Sequence, residues 1–216
     1  RHYRGLWDGR AAMGTLIHAI NEKWSYGEEV DVDELVRELA AGVPIWRGRE
    51  SFVAAEAEGY IDGLERFWRD FLPRTIGTEE IVRHVDPHHG YIGTRDWTAE
   101  LVGLDGVTLL DLKTTAKQYD PAKPDDGLYW DKVRLHLAAY RRAEEIVHFD
   151  DSKEIVATYP AYPIARCCVL HLRGDGRYQL FEVPAAGDEW ALFLRQIDLH
   201  RWCATGWKKP AATDLT

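Results

Sequence analysis

The stretch 108–115, TLLDLKTT, places an aspartate and a lysine in a run that otherwise has the composition of a buried strand. Successive side chains of a strand alternate between its two faces, so Asp111 and Lys113 share one face. Neither residue type is often buried without a partner. The stretch therefore predicts a sheet strand that carries a carboxylate and an ammonium side by side.

The first third of the chain has the apolar spacing of helices. Apolar residues recur at helical intervals in residues 13–24, 31–42 and 51–72. An acidic first turn and Gly42 bound the second segment, and Pro73 closes the third. We therefore expect three helices before the first strand.

The rest of the chain alternates between strand and helix patterns. Three strands are predicted, at 79–85, 91–103 and 107–115, joined by the turns DPHHG and LDG. A polar loop (116–128), a helix (129–147), a second loop, a hairpin around GDG (164–183) and a closing helix (187–206) follow. This order predicts a mixed α/β domain with a central sheet flanked by helices. We expect one domain over 1–216, with a helical part at 1–75, a sheet-containing core at 76–205 and a tail at 206–216.

Composition limits the setting of the protein. A net charge of −9 argues against broad electrostatic binding of nucleic acid but leaves room for a local basic groove. Three cysteines, two of them adjacent, do not form a disulfide framework, which fits a reducing cytosol. No apolar run reaches the roughly 18–20 residues of a membrane span, and no signal peptide is visible. We expect a cytoplasmic protein of a bacterium or a phage-infected host.

Asp96 lies near the middle of the strand that precedes TLLDLKTT. If the two strands form a hairpin, Asp96 and Asp111 approach each other. Carboxylate oxygens bind Mg²⁺ or Mn²⁺, and a lysine can balance negative charge that develops on a phosphate. The alternative is a structural Asp111–Lys113 ion pair at an exposed sheet edge, because Asp-x-Lys alone is a common pattern.

Four short motifs resemble those of the PD-(D/E)XK nucleases, in particular the RecB-like branch. GTRD (93–96) followed by LLDLKTT (109–115) resembles the G-x-x-D and D-x-K-T of that branch. GTLIH (14–18) resembles its G-T-x-x-H on an early helix. HLAAY (136–140) resembles its Q-L-x-x-Y, with His136 where glutamine is usual. The motifs occur in the family's order, which implies a restriction-endonuclease-like core.

The resemblance assigns roles to individual residues. It implies that Asp96 and Asp111 are ligands of Mg²⁺ or Mn²⁺ and that Lys113 is the catalytic lysine. His18 would complete the metal shell, and Leu112 would contribute its backbone carbonyl.

Further residues are implied with less support from the motifs. Tyr140 would sit beside the site, where it contacts DNA or orients Lys113, and His136 would donate to a phosphate. Glu80 is a candidate ligand or supporting residue on the first strand. In the loop 116–128, Lys117 and Tyr119 either belong to a mobile lid over the nucleic acid or to an ordinary solvated loop.

Two other metal centres are disfavoured. His84, His88 and His89 surround a predicted turn and lack thiolates or a helical H-E-x-x-H, so we interpret them as surface residues rather than zinc ligands. Some RecB-like nucleases hold an iron–sulfur cluster with four cysteines. This chain has three, none in that pattern, and we expect no cluster.

The function implied by the resemblance is that of a metal-dependent DNA exonuclease. We expect it to act on DNA ends, with single strands preferred, in recombination, repair or phage replication. A helicase or recombination partner is compatible with this expectation. Two alternatives remain: a catalytically silent member of the fold that binds DNA or protein, and a metal-dependent hydrolase of a small phosphoester.

Overall fold

The fold is that of a computed structural model, which describes residues 2–185 and 187–205. The tail predicted at 206–216 lies outside the described residues. Five helices are present in this part of the chain: α1 (His2–Ser25), α2 (Val32–Ala40), α3 (Glu50–Phe71), α4 (Trp130–Arg142) and α5 (Asp188–Thr205), with a short 3₁₀ turn at Pro44–Trp46. Seven strands follow one another as β1 (Arg74–His84), β2 (Tyr91–Glu100), β3 (Val107–Thr115), β4 (Glu145–Phe149), β5 (Ile155–Pro160), β6 (Arg166–Arg173) and β7 (Tyr178–Val183).

All seven strands belong to one mixed sheet. Their order is β5-β4-β1-β2-β3-β6-β7. Only β3 and β6 run parallel, and the chain returns between them through α4, β4 and β5. The predicted mixed α/β class with a central sheet flanked by helices is therefore confirmed. None of the described helices is long and apolar enough to cross a membrane.

Two hydrophobic clusters cover the sheet. The larger combines α1, α2 and α3 with Leu110 and Leu112 of β3 and with Trp97 of β2. The smaller joins α4 to Leu109 of β3 and to β6. The two faces of β3 therefore pack against different helices, as strand alternation requires. Trp97 is fully buried in the larger cluster.

The predicted helices and the first three strands are confirmed, with shifts at their ends. α1 begins at His2 rather than at residue 13, and β1 begins at Arg74 rather than at 79. The hairpin of β6 and β7 forms as predicted, and the backbone of its turn lies against α3. There a Cβ on Gly59 would come within 1.9 Å of the Gly174 carbonyl oxygen.

The region after α4 differs from the prediction. The expected helix 129–147 ends at Arg142, because Ala143 adopts an extended conformation with ψ 137°. Residues 145–149 form β4 instead, pairing with β1, and the predicted second loop contains β5. Both strands are rich in β-branched and aromatic residues, which favour strands. Glutamates at 144 and 145 favour a helix, so the sequence pattern did not indicate the change from helix to strand.

Candidate active site

The site forms where β2 and β3 stop pairing. The two strands pair from Glu100 opposite Val107 to Trp97 opposite Leu110, and Asp96 is the next residue of β2. Its Oδ2 accepts a hydrogen bond of 3.0 Å from the Leu112 backbone N–H. The Asp96 carboxylate thus takes the place of a ladder carbonyl and satisfies a backbone donor that would otherwise lack a partner. This bond fixes Asp96 against β3.

Asp111 and Lys113 form the pair that the sequence predicted. The Lys113 ammonium lies 2.7 Å from Asp111 Oδ2 and 3.9 Å from Asp96 Oδ2. It also donates a 3.1 Å hydrogen bond to the Leu112 carbonyl. Asp111 is buried, whereas about a third of the Lys113 side chain is exposed. One lysine therefore sits between two carboxylates and still reaches solvent.

His18 approaches the same group from α1. Its Nε2 is 3.7 Å from Asp96 Oδ2 and 3.3 Å from the Leu112 carbonyl oxygen. Its Nδ1 is 3.0 Å from Glu79 Oε1. The structure thus brings together the five residues that the resemblance placed at the centre of the site: His18, Asp96, Asp111, Leu112 and Lys113.

Glu79 is a member of the site that the sequence reasoning missed. The β1–β2 register pairs Thr78 with Trp97 and Glu80 with Arg95, which leaves Glu79 opposite Asp96. Glu79 has a φ of +48°, a region that glutamate rarely adopts. Backbone strain of this kind costs about 1–3 kcal/mol and concentrates at functional positions. The hairpin turn at 86–90 fixes this register, so counting back from it would have found Glu79.

Three carboxylates share the site with one lysine and one histidine. Burial and the neighbouring charge of Asp111 raise the pKa of Asp96 to about 6. Burial by itself lowers the pKa of His18, but the hydrogen bond that His18 donates to Glu79 and the charges of Asp96 and Glu79 outweigh it, and the pKa is raised. The negative charge of neighbouring carboxylates contributes to both shifts. A cation would offset this charge.

The residues present fit a divalent metal ion. One ligand atom each from His18, Glu79 and Asp96 lie within 4.8 Å of one another, the only such group among the described residues. Two carboxylates and the Leu112 carbonyl are hard oxygen donors suited to Mg²⁺ or Mn²⁺, and the imidazole nitrogen favours Mn²⁺ of the two. Asp111 is not part of that group, because its carboxylate is paired with Lys113. Its role as a ligand stays a prediction.

Tyr140 lies beside this group, as the Q-L-x-x-Y-like motif implied. Its ring packs on Gly93, where a Cβ would come within 2.7 Å of Tyr140 Cε1, so this position requires glycine. Burial and the charges of Asp96, Asp111 and Glu79 raise the pKa of Tyr140 to about 12. The exposed His136 ring lies 6.2 Å from the Tyr140 ring on the same helix.

Glu80 is not in the ligand group, so of the two roles expected for it only the supporting one remains. Its Oε2 accepts hydrogen bonds of 3.0 Å from Arg95 Nε and from the Thr98 hydroxyl, and a further one from the Tyr162 hydroxyl. Arg95 is fully buried, and its guanidinium stacks on the Tyr162 ring at 4.5 Å. Glu80, Arg95, Thr98 and Tyr162, here called the Arg95 cluster, form a polar network around the Glu80 carboxylate, in which Arg95 Nη1 and Nη2 are buried without a hydrogen-bond partner.

The loop 116–128 is anchored rather than free. Arg173, fully buried on β6, donates hydrogen bonds to the backbone carbonyls of residues 117, 118, 124 and 126. Tyr119 lies near two guanidiniums, 5.8 Å from that of Arg173 and 5.0 Å from that of Arg177. Lys117 lines the cleft described next, but its ammonium is paired with Asp126 at 2.5 Å. The predicted contacts of Lys117 and Tyr119 with a nucleic acid would have to break these interactions.

A cleft of about 1140 Å³ opens at the site. Its walls come from α1, the 3₁₀ turn, α3, β3 and the anchored loop, and they include His18, Glu79, Leu112 and Lys113. Small-molecule pockets usually measure roughly 300–1,000 Å³. The cleft is therefore large enough for part of a polymer.

The histidines around the first hairpin turn take structural roles. His84 stacks on Tyr91 at 5.4 Å, and His89 Nε2 is 3.0 Å from Asp198 of α5. His88 is exposed. Among the residues that the structure describes, these three do not gather as metal ligands. His84 is the last residue of β1 and is only partly exposed, so the interpretation as a surface turn residue does not hold for it.

Comparison with protein families and with curated proteins finds no match to this chain. Among solved structures, it is similar to one titled the crystal structure of SSO0001. The two are 15% identical, the alignment covers 93% of this chain and 76% of the other, and the TM-score is 0.37. A likeness at that level identifies neither a family nor a function.

Proposed function

We propose that this protein is a metal-dependent nuclease that hydrolyses phosphodiester bonds of DNA. The observation that carries the proposal is the position of the Lys113 ammonium. It lies beside the ligand group His18, Glu79 and Asp96, and it reaches solvent at the cleft. A cation-binding carboxylate group next to a solvent-accessible ammonium is suited to a reaction in which negative charge grows on a phosphate.

The residues of the chain have distinct tasks in this reaction. His18, Glu79, Asp96 and the Leu112 carbonyl would hold Mg²⁺ or Mn²⁺. A bound ion would supply Lewis-acid stabilisation of the phosphate and would lower the pKa of a water molecule. Lys113, fixed by Asp111 and by the Leu112 carbonyl, would place its positive charge against the oxygens of the scissile phosphate.

Two hydrogen bonds preorganise the acidic side chains. The Leu112 N–H holds Asp96, and His18 Nδ1 pairs with Glu79. Fixed orientation lowers the cost of assembling the site during the reaction. The resemblance of the four motifs to RecB-like nucleases supports action on DNA ends, in recombination, repair or phage replication, and a cytoplasmic location.

The test compares linear and covalently closed circles of the same single-stranded sequence, with Mg²⁺ or Mn²⁺ and with chelator. We expect the linear strand to be degraded with metal, the circle to persist, and chelator to stop the reaction. Cleavage of neither substrate would contradict the nuclease proposal. Equal degradation of both would keep the nuclease and exclude the exonuclease. A small aryl phosphate ester, included in parallel, tests the alternative of a small-phosphoester hydrolase.

A further inference from the structure

Two large aromatic side chains line the cleft without being buried. Phe52 of α3 is 59% exposed, and Tyr129, just before α4, is 60% exposed. Aromatic residues usually bury 150–250 Å² of surface each, so leaving two in solvent at one cleft forgoes a large stabilisation. Neither ring contributes to the two hydrophobic clusters. Their placement indicates a ligand with flat apolar surfaces.

Each ring has a cation beside it. The Arg49 guanidinium lies 4.9 Å from the centre of the Phe52 ring, and the Lys132 ammonium lies 5.6 Å from the centre of the Tyr129 ring. A cation on one face of a ring leaves the other face for stacking. The same cation is then close to the phosphate that follows a stacked base. An aromatic ring with a neighbouring cation is thus suited to a nucleotide.

The charges of the cleft point to the bases rather than the backbone as the main contact. Arg49 and Lys117 line it, but so do Glu22 and Glu56. A backbone-tracking groove would carry an unbroken positive surface. Here the phosphates meet charges of both signs, so stacking must supply much of the affinity.

We infer that Phe52 and Tyr129 are stacking positions for the bases of a single-stranded nucleic acid whose phosphodiester is presented to Lys113. This inference rests on the proposed function and names the substrate form of the same site. Bases of an intact duplex are stacked on each other and have no free face, so the cleft selects unpaired strands. Tyr119, the stacking residue expected from the sequence, is not among the residues that line the cleft.

The experiment measures binding of a fluorescent oligodeoxythymidine of about 12 nucleotides, within the usual footprint of single-strand binders. Chelator is present so that the strand is not cut. A second probe is the same backbone with every base removed. Phe52→Ala and Tyr129→Ala are compared with Tyr159→Ala, an equally exposed tyrosine on β5 that is not among the residues lining the cleft.

We expect Phe52→Ala and Tyr129→Ala each to raise the Kd for oligodeoxythymidine about tenfold, and Tyr159→Ala to change it less than about twofold. Wild type should bind the abasic probe at least about tenfold more weakly, and the two cleft variants should lose little further affinity for it. Equal binding of both probes by wild type, or cleft variants that match Tyr159→Ala, would overturn the inference. Digestion of DNA by wild type in the same preparations tells that failure apart from failure of the nuclease proposal.

Discussion

Two adjacent acidic residues of β1 end in opposite environments. Glu79 lines the cleft and groups with Asp96 and His18, whereas Glu80 is enclosed by Arg95 and its partners. In the Arg95 cluster one carboxylate meets one guanidinium and two hydroxyls, and the acceptor is satisfied. At the site, three carboxylates share one lysine and one histidine. The difference teaches that excess charge, rather than the presence of acidic residues, marks the functional position.

The contrast also explains how the site is held in place. Arg95 and Asp96 are consecutive, as are Glu79 and Glu80. The Glu80–Arg95 pair therefore anchors both strands directly beside the two acidic residues of the ligand group. Strain at Glu79 is sustained by this anchor. Glu80 and Arg95 therefore stabilise the fold, whereas their neighbours Glu79 and Asp96 belong to the ligand group.

The largest effect should follow from removing the charge that faces the cleft. We expect Lys113→Ala to reduce DNA cleavage about 10⁴-fold, because the phosphate then loses its only neighbouring lysine at the ligand group. Its affinity for Mn²⁺ should stay within a few-fold, since Lys113 is not a ligand. The control is Lys117→Ala, a lysine of the same cleft that is paired with Asp126. Comparable losses in both variants would show that the effect is general cleft charge.

Breaking the Arg95 cluster should damage stability instead. Arg95→Met leaves the Glu80 carboxylate without its counterion in a buried place, and we expect the free energy of unfolding to fall by about 4 kcal/mol. Urea unfolding followed by circular dichroism measures it. Asp96→Asn is the matched site variant. It removes one of three crowded carboxylates and should not lower the stability of the metal-free protein. An Arg95→Met protein as stable as wild type would contradict the claim that the Glu80–Arg95 pair anchors β1 and β2.

Acid should destabilise the protein through a buried histidine, His171 of β6. Burial and the charge of Arg173 lower its pKa to about 4 from its usual 6.5. As the pH falls below 6.5, the unfolded chain binds this proton and the folded chain does not. The contribution of His171 to the free energy of unfolding therefore falls as the pH drops from 6.5 to 4, and the loss reaches about 3 kcal/mol at pH 4.

His171→Leu should flatten the pH dependence of urea unfolding in that window, and the exposed His88→Leu should leave it as in wild type. A slope that is unchanged in His171→Leu would mean that His171 is protonated in the folded protein.

The smallest effect on stability should follow from removing the Tyr162 hydroxyl of the Arg95 cluster. Tyr162→Phe removes one hydroxyl donor to Glu80 and keeps the ring under the Arg95 guanidinium. We expect a loss of about 1–2 kcal/mol in urea unfolding. Tyr159→Phe, on the exposed strand β5, should change nothing measurable. In a double-mutant cycle the Tyr162→Phe loss should shrink when Arg95→Met is also present, because both act on the same carboxylate.

Much of this site could be predicted because the side chains of β3 alternate regularly between the two faces of the sheet. Residues 107–115 form a strand with the predicted ends, and alternation alone puts Asp111 beside Lys113. Asp96 follows from the hairpin. These features depend on local pattern and short connections, which a single sequence records.

The remainder depends on contacts that a local pattern does not record. Glu79 was missed because its place at the site depends on the β1–β2 register, which sets it opposite Asp96. β4 was missed because the residues after Arg142 continue a helix-forming pattern, and only pairing with β1 makes them a strand. The anchoring of the 116–128 loop comes from Arg173, some 45 or more residues later in the chain.

Calorimetric titration with Mn²⁺ tests the central claim most directly, because Glu79 and Glu80 are neighbours with the same side chain. The titration compares wild type, Glu79→Gln and Glu80→Gln, each below its own thermal transition. We predict that wild type binds Mn²⁺, that Glu79→Gln binds it at least about tenfold more weakly, and that Glu80→Gln stays within about twofold. No binding by wild type, or a greater loss in Glu80→Gln than in Glu79→Gln, would contradict the account.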